Sequence, residues 1–180
     1  MSGAGEEGAG GAAPGARVRR AFLSLGSNLG ERAAALRAAR AALADLPGTT
    51  IVAASRVYET APQDVTDQPP FLNQVVCLDT TLEPRELLVA AQRIEAAAGR
   101  VRSVRFGPRT LDIDILLLEG AASDDPELTL PHPRLWQRAF VLVPLAELWQ
   151  HARGMPAADV KALADELASS QHVSLYVAED

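Results

Sequence analysis

Asp112 and Asp114 stand two residues apart in Leu111-Asp112-Ile113-Asp114-Ile115. In a strand, the side-chain period of two aims both carboxylates at one spot and the aliphatic residues the other way. Like charges so close repel, and burying them uncompensated costs roughly several kcal/mol, so a divalent cation between them is the simplest arrangement. Oxygen ligands and phosphate favour magnesium. Taken alone, the pair fits the solvated face of an amphipathic strand equally well. Immediately upstream, Arg100, Arg102, Arg105 and Arg109 interleave with Gly99, Gly107 and Pro108. Guanidinium groups pair with phosphate oxygens in a fixed bidentate geometry and can neutralise charge that develops during phosphoryl transfer. By themselves these arginines read as a solvated loop or an RNA-contacting patch, but arginines beside metal ligands are what a nucleoside triphosphate requires.

The elements that must position these groups follow from apolar periodicity. Ala21–Leu25 reads as a short strand, and Gly26-Ser27-Asn28 as a tight turn into a helix N-terminus. Leu29, Ala33, Leu36, Leu43 and Leu46 mark an amphipathic helix stopped by Pro47-Gly48. Ile51–Tyr58 and Phe71–Asp79 read as strands, joined by a proline-containing loop over 59–70 long enough for a ligand role. Pro84 opens and Gly99 closes a second helix, on which Gln92 and Glu95 share a face. Leu111–Glu119 is a central strand. A helix over Ala158–Ser169 and an edge strand over Val173–Val177 complete the reading, with nothing assigned between them and the central strand. The order β-α-β-β-α-β predicts a ferredoxin-like α+β sandwich, with helices packed on a mainly antiparallel sheet.

A chain of 180 residues, 48% of them hydrophobic, supports one domain with one sizeable core. Residues 1–16, rich in glycine and alanine, are expected to form a disordered tail, and 17–180 the single domain. With 17 basic and 23 acidic side chains, the net charge of -6 argues against broad binding to nucleic acid or to an anionic membrane. Any anionic ligand must then meet a local basic cluster. Cys77, the one cysteine, lies in an apolar run, which excludes a disulfide framework within the chain and suits a reducing cytoplasm. No apolar run is long enough for a membrane span, and the N-terminus lacks the apolar block of a signal peptide.

A set of separated motifs goes further: Leu25-Gly26-Ser27-Asn28-Leu29, Tyr58-Glu59-Thr60-Ala61-Pro62, Asp67-Gln68-Pro69, Phe71-Leu72-Asn73, Gln92-Arg93-Ile94-Glu95, Gly99-Arg100-Val101-Arg102, Phe106-Gly107-Pro108-Arg109-Thr110-Leu111-Asp112-Ile113-Asp114, and Leu130-Pro131-His132-Pro133. In this order, from Ala21 to about Leu148, the chain resembles the 6-hydroxymethyl-7,8-dihydropterin pyrophosphokinases of folate biosynthesis. The resemblance implies transfer of pyrophosphate from ATP to the pterin hydroxymethyl group, with release of AMP. It implies that Asp112 and Asp114 hold two magnesium ions, and that Arg105 and Arg109 stabilise the transferring group. Leu88, Gln92, Arg102, Ile115, Thr129, His132 and Arg138, with Arg105 and Arg109, would contact ATP. The pterin would stack between Phe71 and Phe140, with Thr60, Ala61, Gln63, Asn73, Phe106 and Asp112 around it; a flat heterocycle between aromatic faces, oriented by polar edge contacts, is physically sound. Phe71 and Phe106 stand where many members carry tyrosine and tryptophan.

Two rivals remain at this level. A polymerase-like nucleotidyltransferase also combines a Gly-Ser turn with an Asp-x-Asp metal strand, although there the two are close in sequence, whereas Ser27 and Asp112 are far apart. A ferredoxin-like RNA-binding module would use the arginine loop, but such sheets present stacking aromatics where this strand presents acid. The expected partners are the two small-molecule substrates, with no nucleic acid and no membrane. A monomer or weak dimer is expected, though nothing in the sequence sets the oligomeric state.

Overall fold

A computed structural model describes residues 15–63, 66–99 and 108–178. Strand β1 (Arg19–Ser27) runs antiparallel to both β4 (Phe71–Thr80) and β5 (Asp112–Leu118), so it lies at the centre of the sheet. Two further strands, β2 (Thr49–Ala54) and β3 (Tyr58–Thr60), both pair with β4. With β8 (Val173–Leu175) beyond β3, the order is β5-β1-β4-β3-β8. A separate hairpin joins β6 (Ser123–Asp125) to β7 (Leu128–Leu130). The order of the strands that alternate with the first two helices is that of a ferredoxin-like α+β fold.

Helices α1 (Arg32–Ala44) and α2 (Pro84–Ala97) cover one sheet face. They close a core of Leu23, Leu25, Leu36, Val76, Leu87 and Ile113. Proline at the first turn of α2 and a reciprocal capping box between Glu83 and Glu86 explain why that helix starts where it does. The other face carries α3 (Ala139–Leu148), against which α4 (Val160–Ala168) packs. A second core there gathers Phe22, Val75, Cys77, Leu117, Leu142 and Leu145. Arg20 on β1 reaches Asp79 through two hydrogen bonds of 2.8 and 2.9 Å and donates to the His151 carbonyl at 2.8 Å, which fastens the chain after α3 to the sheet.

Four local readings of the sequence change. The strand read as central, β5, lies at one end of the strand order beside β1. Gly26 and Ser27 continue β1 instead of turning, because Gly26 pairs with both Asn73 and Asp112. The span read as one strand over Ile51–Tyr58 is two, since Ser55 turns its hydroxyl into the ladder and accepts the Val75 N–H at 3.0 Å. The region left unassigned contains the β6–β7 hairpin and α3. The expected tail lies outside the described residues except for its last two. Among the described residues, no helix is long and apolar enough to cross a membrane.

Leu25→Ala removes a fully buried side chain beside Ile113. It is expected to cost roughly 2–5 kcal/mol of stability, read as a lower urea midpoint at unchanged slope, whereas Val52→Ala, at a surface position, should stay within about 0.5 kcal/mol.

Candidate active site

The alternation expected of the acidic strand holds on β5: Leu111, Ile113 and Ile115 are buried under α2, while Asp112 and Asp114 are half-buried on the α3 side. Arg109 donates from Nη1 to Asp112 Oδ2 at 2.6 Å. Its backbone is pinned by Asn28, whose Oδ1 accepts the Arg109 N–H at 2.8 Å and whose own N–H reaches the Arg109 carbonyl at 3.1 Å. The Asn28 amide also donates to Gln68 Oε1 and to the Pro69 carbonyl, both at 3.0 Å, so one buried side chain ties the entry of β5 to the loop before β4. From the helical side Glu95, also buried, accepts the Ile113 N–H at 2.8 Å and fixes the strand between the two aspartates. Burial, and after it the charge of Asp112, pushes the Asp114 carboxyl well above the usual carboxylate range, while Arg138 and Arg109 pull it back.

A single row across the sheet, Tyr58, Asn73, Gly26 and Asp112, links this acidic pair to β3. Asn73 donates to Thr60 Oγ1 at 2.7 Å, and Phe71 pairs with Thr60 one step along. A Cβ added at Gly26 would stand 3.3 Å from Asn73 Oδ1 and 4.0 Å from Phe71 Cδ1, so glycine here lets the neighbouring strand's polar side chain lie over the backbone. Beside this row is a cavity of about 380 Å³ lined by Thr60, Ala61, Gln63 and Phe140. Four of the residues expected around a pterin are thus brought together, with Phe71 and Asn73 on the adjoining strand.

His132 is held beside β5 by its N–H, which donates to the Leu116 carbonyl at 2.9 Å, and its Nδ1 accepts the Arg134 N–H at 3.2 Å. Burial, then the charge of Arg138, pushes this imidazole down to about 4. The Arg138 guanidinium lies 5.4 Å from the centre of the Phe140 ring, between the histidine side and the cavity. Ile115, and Leu88 from α2, belong to the same apolar core; on β7, which contacts both α2 and β5, Thr129 donates to the Asp125 carbonyl at 3.0 Å. Gln92 is exposed on α2. Arg100, Arg102, Arg105 and Phe106 lie outside the described residues.

Three residues not singled out for chemistry also shape the site. Asn28 sits in a quoted motif, and Glu95 lies three residues after Gln92 in another; membership in those motifs is the signal that could have flagged them, although Glu95 is buried where Gln92 is exposed. The third, Gln171, lies in the cavity wall with Ser170, His172 and Val173, and its position in sequence carries no such signal.

A family model described as 7,8-dihydro-6-hydroxymethylpterin-pyrophosphokinase matches residues 22–150. The 2-amino-4-hydroxy-6-hydroxymethyldihydropteridine pyrophosphokinase of Methylorubrum extorquens is 54% identical over 131 residues, 73% of this chain and 83% of that protein. The enzyme of the same name from Bacillus subtilis is 47% identical over 130 residues, 72% of this chain and 78% of that protein. Among solved structures, wild-type HPPK-DHPS of Plasmodium falciparum aligns with a TM-score of 0.63 at 14% identity, over 87% of this chain and 46% of that one. This chain therefore spans less than half of that longer protein, and the likeness concerns the fold alone.

Gly26→Ala should press on Asn73 and loosen its bond to Thr60, lowering stability by roughly 1–3 kcal/mol and shifting the Asn73 side-chain amide resonances. For His132, the folded-state value lies below the ordinary imidazole value of about 6.5, so its contribution to stability is complete above 6.5 and is lost as pH falls through about 4. Histidine resonances followed from pH 8 to 4 should show one ring that stays neutral near pH 5, and His132→Asn should flatten the stability curve between those limits.

Proposed function

The chain belongs to the 7,8-dihydro-6-hydroxymethylpterin-pyrophosphokinase family, and from that premise we propose how its residues carry the pyrophosphoryl group of ATP to the hydroxymethyl oxygen of 6-hydroxymethyl-7,8-dihydropterin in folate biosynthesis. Membership favours this ATP-dependent transfer over the nucleotidyltransferase reading. The observation that carries the proposal is the strand row from Tyr58 through Asn73 and Gly26 to Asp112, which joins the cavity beside Phe140 to the acidic pair.

In this reading the pterin lies in the cavity, stacked between Phe71 and Phe140, with Asn73 and the backbone around Thr60, Ala61 and Gln63 meeting its polar edge; Phe106 belongs to the same subsite. The triphosphate lies over Asp112 and Asp114. Arg105 and Arg109 neutralise its outer phosphates, while Gln92, Arg102, Thr129, His132 and Arg138 hold the nucleotide and Leu88 and Ile115 back the adenine. A neutral His132 suits a hydrogen-bonding role better than that of a fixed charge.

The donor set fits magnesium. Two half-buried carboxylates share a strand face, Arg109 already pairs with one, and the other is pushed above its usual range by burial and by the charge of Asp112. Magnesium commonly takes one or two carboxylates and completes its shell with phosphate and water. Asp112 and Asp114 would hold two such ions, which when bound neutralise the triphosphate and polarise its reacting bonds. Arg109 keeps Asp112 in place, and Asn28 keeps Arg109 in place. The hydroxymethyl oxygen, oriented by the stacked ring, attacks the β-phosphorus in line; the new O–P bond forms as the bridging bond to the α-phosphate breaks. AMP departs with the bridging oxygen and the hydroxyl proton passes to solvent. Cys77, buried with its thiol pushed up to about 11 by that burial, takes no part, and a reducing cytoplasm suits it. Residues 17–180 act as one domain.

Incubation with ATP, magnesium and the reduced hydroxymethylpterin should yield AMP and a pterin pyrophosphate ester in equal amounts, with neither formed under chelation. Asp112→Ala should slow turnover by about a thousandfold, or roughly 4 kcal/mol in barrier. ADP as the main product, or full turnover by Asp112→Ala, would overturn the mechanism.

A further inference from the structure

Gln171 stands outside the span matched by the family model, which ends at residue 150, yet its side chain meets both walls of the cavity. Its Oε1 accepts from Gln63 Nε2 at 2.6 Å and from the Ala139 N–H at 2.9 Å, and its Nε2 donates to the Gln137 carbonyl at 3.0 Å. The orientation of this amide is forced by its backbone partners: an N–H can only donate and a carbonyl can only accept, so oxygen must face Ala139 and nitrogen Gln137. Gln63 then has to present its own NH₂ group.

The Ala139 N–H is one of the unpaired donors at the start of α3, where Arg138 provides no side-chain cap. Gln171 supplies that cap from a distant part of the chain, one residue before Phe140. The residue is itself anchored on both sides. Its N–H returns to the Leu167 carbonyl at the end of α4 at 2.8 Å, and two residues later Val173 pairs with Thr60 in the β3–β8 ladder. One amide therefore joins the loop end at Gln63, the turn that carries Phe140 and the strand that carries Thr60.

Building on the pterin subsite proposed above, we infer that Gln171 is a positioning residue that preorganises the cavity for the pterin, and that the segment from Ser170 to Val173 is a wall of that subsite. It acts through Gln63 and the Phe140 turn, mainly on the pterin side; because its bonds to the Gln137 carbonyl and the Ala139 N–H flank Arg138, a smaller effect reaches the nucleotide through that residue.

The test uses the full chain, with KM and kcat measured separately for ATP and for the pterin. Gln171→Ala should raise the pterin KM by about tenfold, the loss expected when one or two ordinary hydrogen bonds no longer hold a site ready, while the ATP KM and the saturated kcat stay within about twofold. Gln171→Glu keeps the acceptors for Ala139 and Gln63 and loses the donor to Gln137, so it should fall between wild type and Gln171→Ala; it also serves where the alanine variant folds poorly. Gln63→Ala combined with Gln171→Ala should be little worse than Gln171→Ala alone, because both remove the same bridge. An unchanged pterin KM, equal rises for both substrates, or additive effects of the two alanines would overturn the inference. A wild-type chain that forms no AMP would instead overturn the functional reading on which it rests.

Discussion

Two like charges held side by side on a half-buried strand face are the constraint around which the rest of this molecule is arranged. Asp112 and Asp114 cannot separate, because β5 is clamped between β1 and the buried Glu95, which takes the intervening N–H. Nor can the sheet neutralise them from within, since its strand neighbours there are Gly26 and Ser24. Positive charge has to come from outside the strand. Arg109 supplies part of it directly, at the price of having its own backbone stapled by Asn28. What remains shows in Asp114, which burial and then the charge of Asp112 push above the usual carboxylate range.

The two faces of the sheet divide the work. Under α1 and α2 the strands bury Leu25, Ile113 and Ile115, which makes β1 and β5 rigid relative to each other. On the opposite face the same strands present Gly26, Asn73 and the acidic pair, and α3 lifts Phe140 beside them. Because paired residues in adjacent strands share a face, a one-residue slip of β5 would carry both carboxylates into the apolar layer. The apolar core thus holds the register of the acidic pair in place.

Much of this was legible before any coordinates. The Asp-x-Asp alternation survives folding because a strand's period of two is a local property, and α2 announces itself through Pro84 and Gly99. Gly26-Ser27-Asn28 misleads because turn-forming residues are outvoted by a register with two flanking strands, where the missing Cβ matters more than turn propensity. Helix α3 leaves no amphipathic trace: Ala139–Leu148 is apolar nearly all round and contains Pro144, as a helix pressed between a sheet and another helix can be. Asn28 and Gln171 do their work through partners tens of residues away, and no spacing rule encodes such contacts. The family match extends past Phe140 but stops short of the segment that caps its turn.

The three residues of β8 also close one border of the main sheet. Without them β3 would offer its outer backbone groups to solvent, next to strands rich in valine and leucine. Such an open edge is a template for pairing with another chain. A strand of only three residues, with Ser174 at its middle, covers it, and leaves Leu175 exposed on the new border. The segment therefore closes the outer side of β3 as well as one wall of the cavity, so changes made in the cavity wall would also alter the border of the sheet.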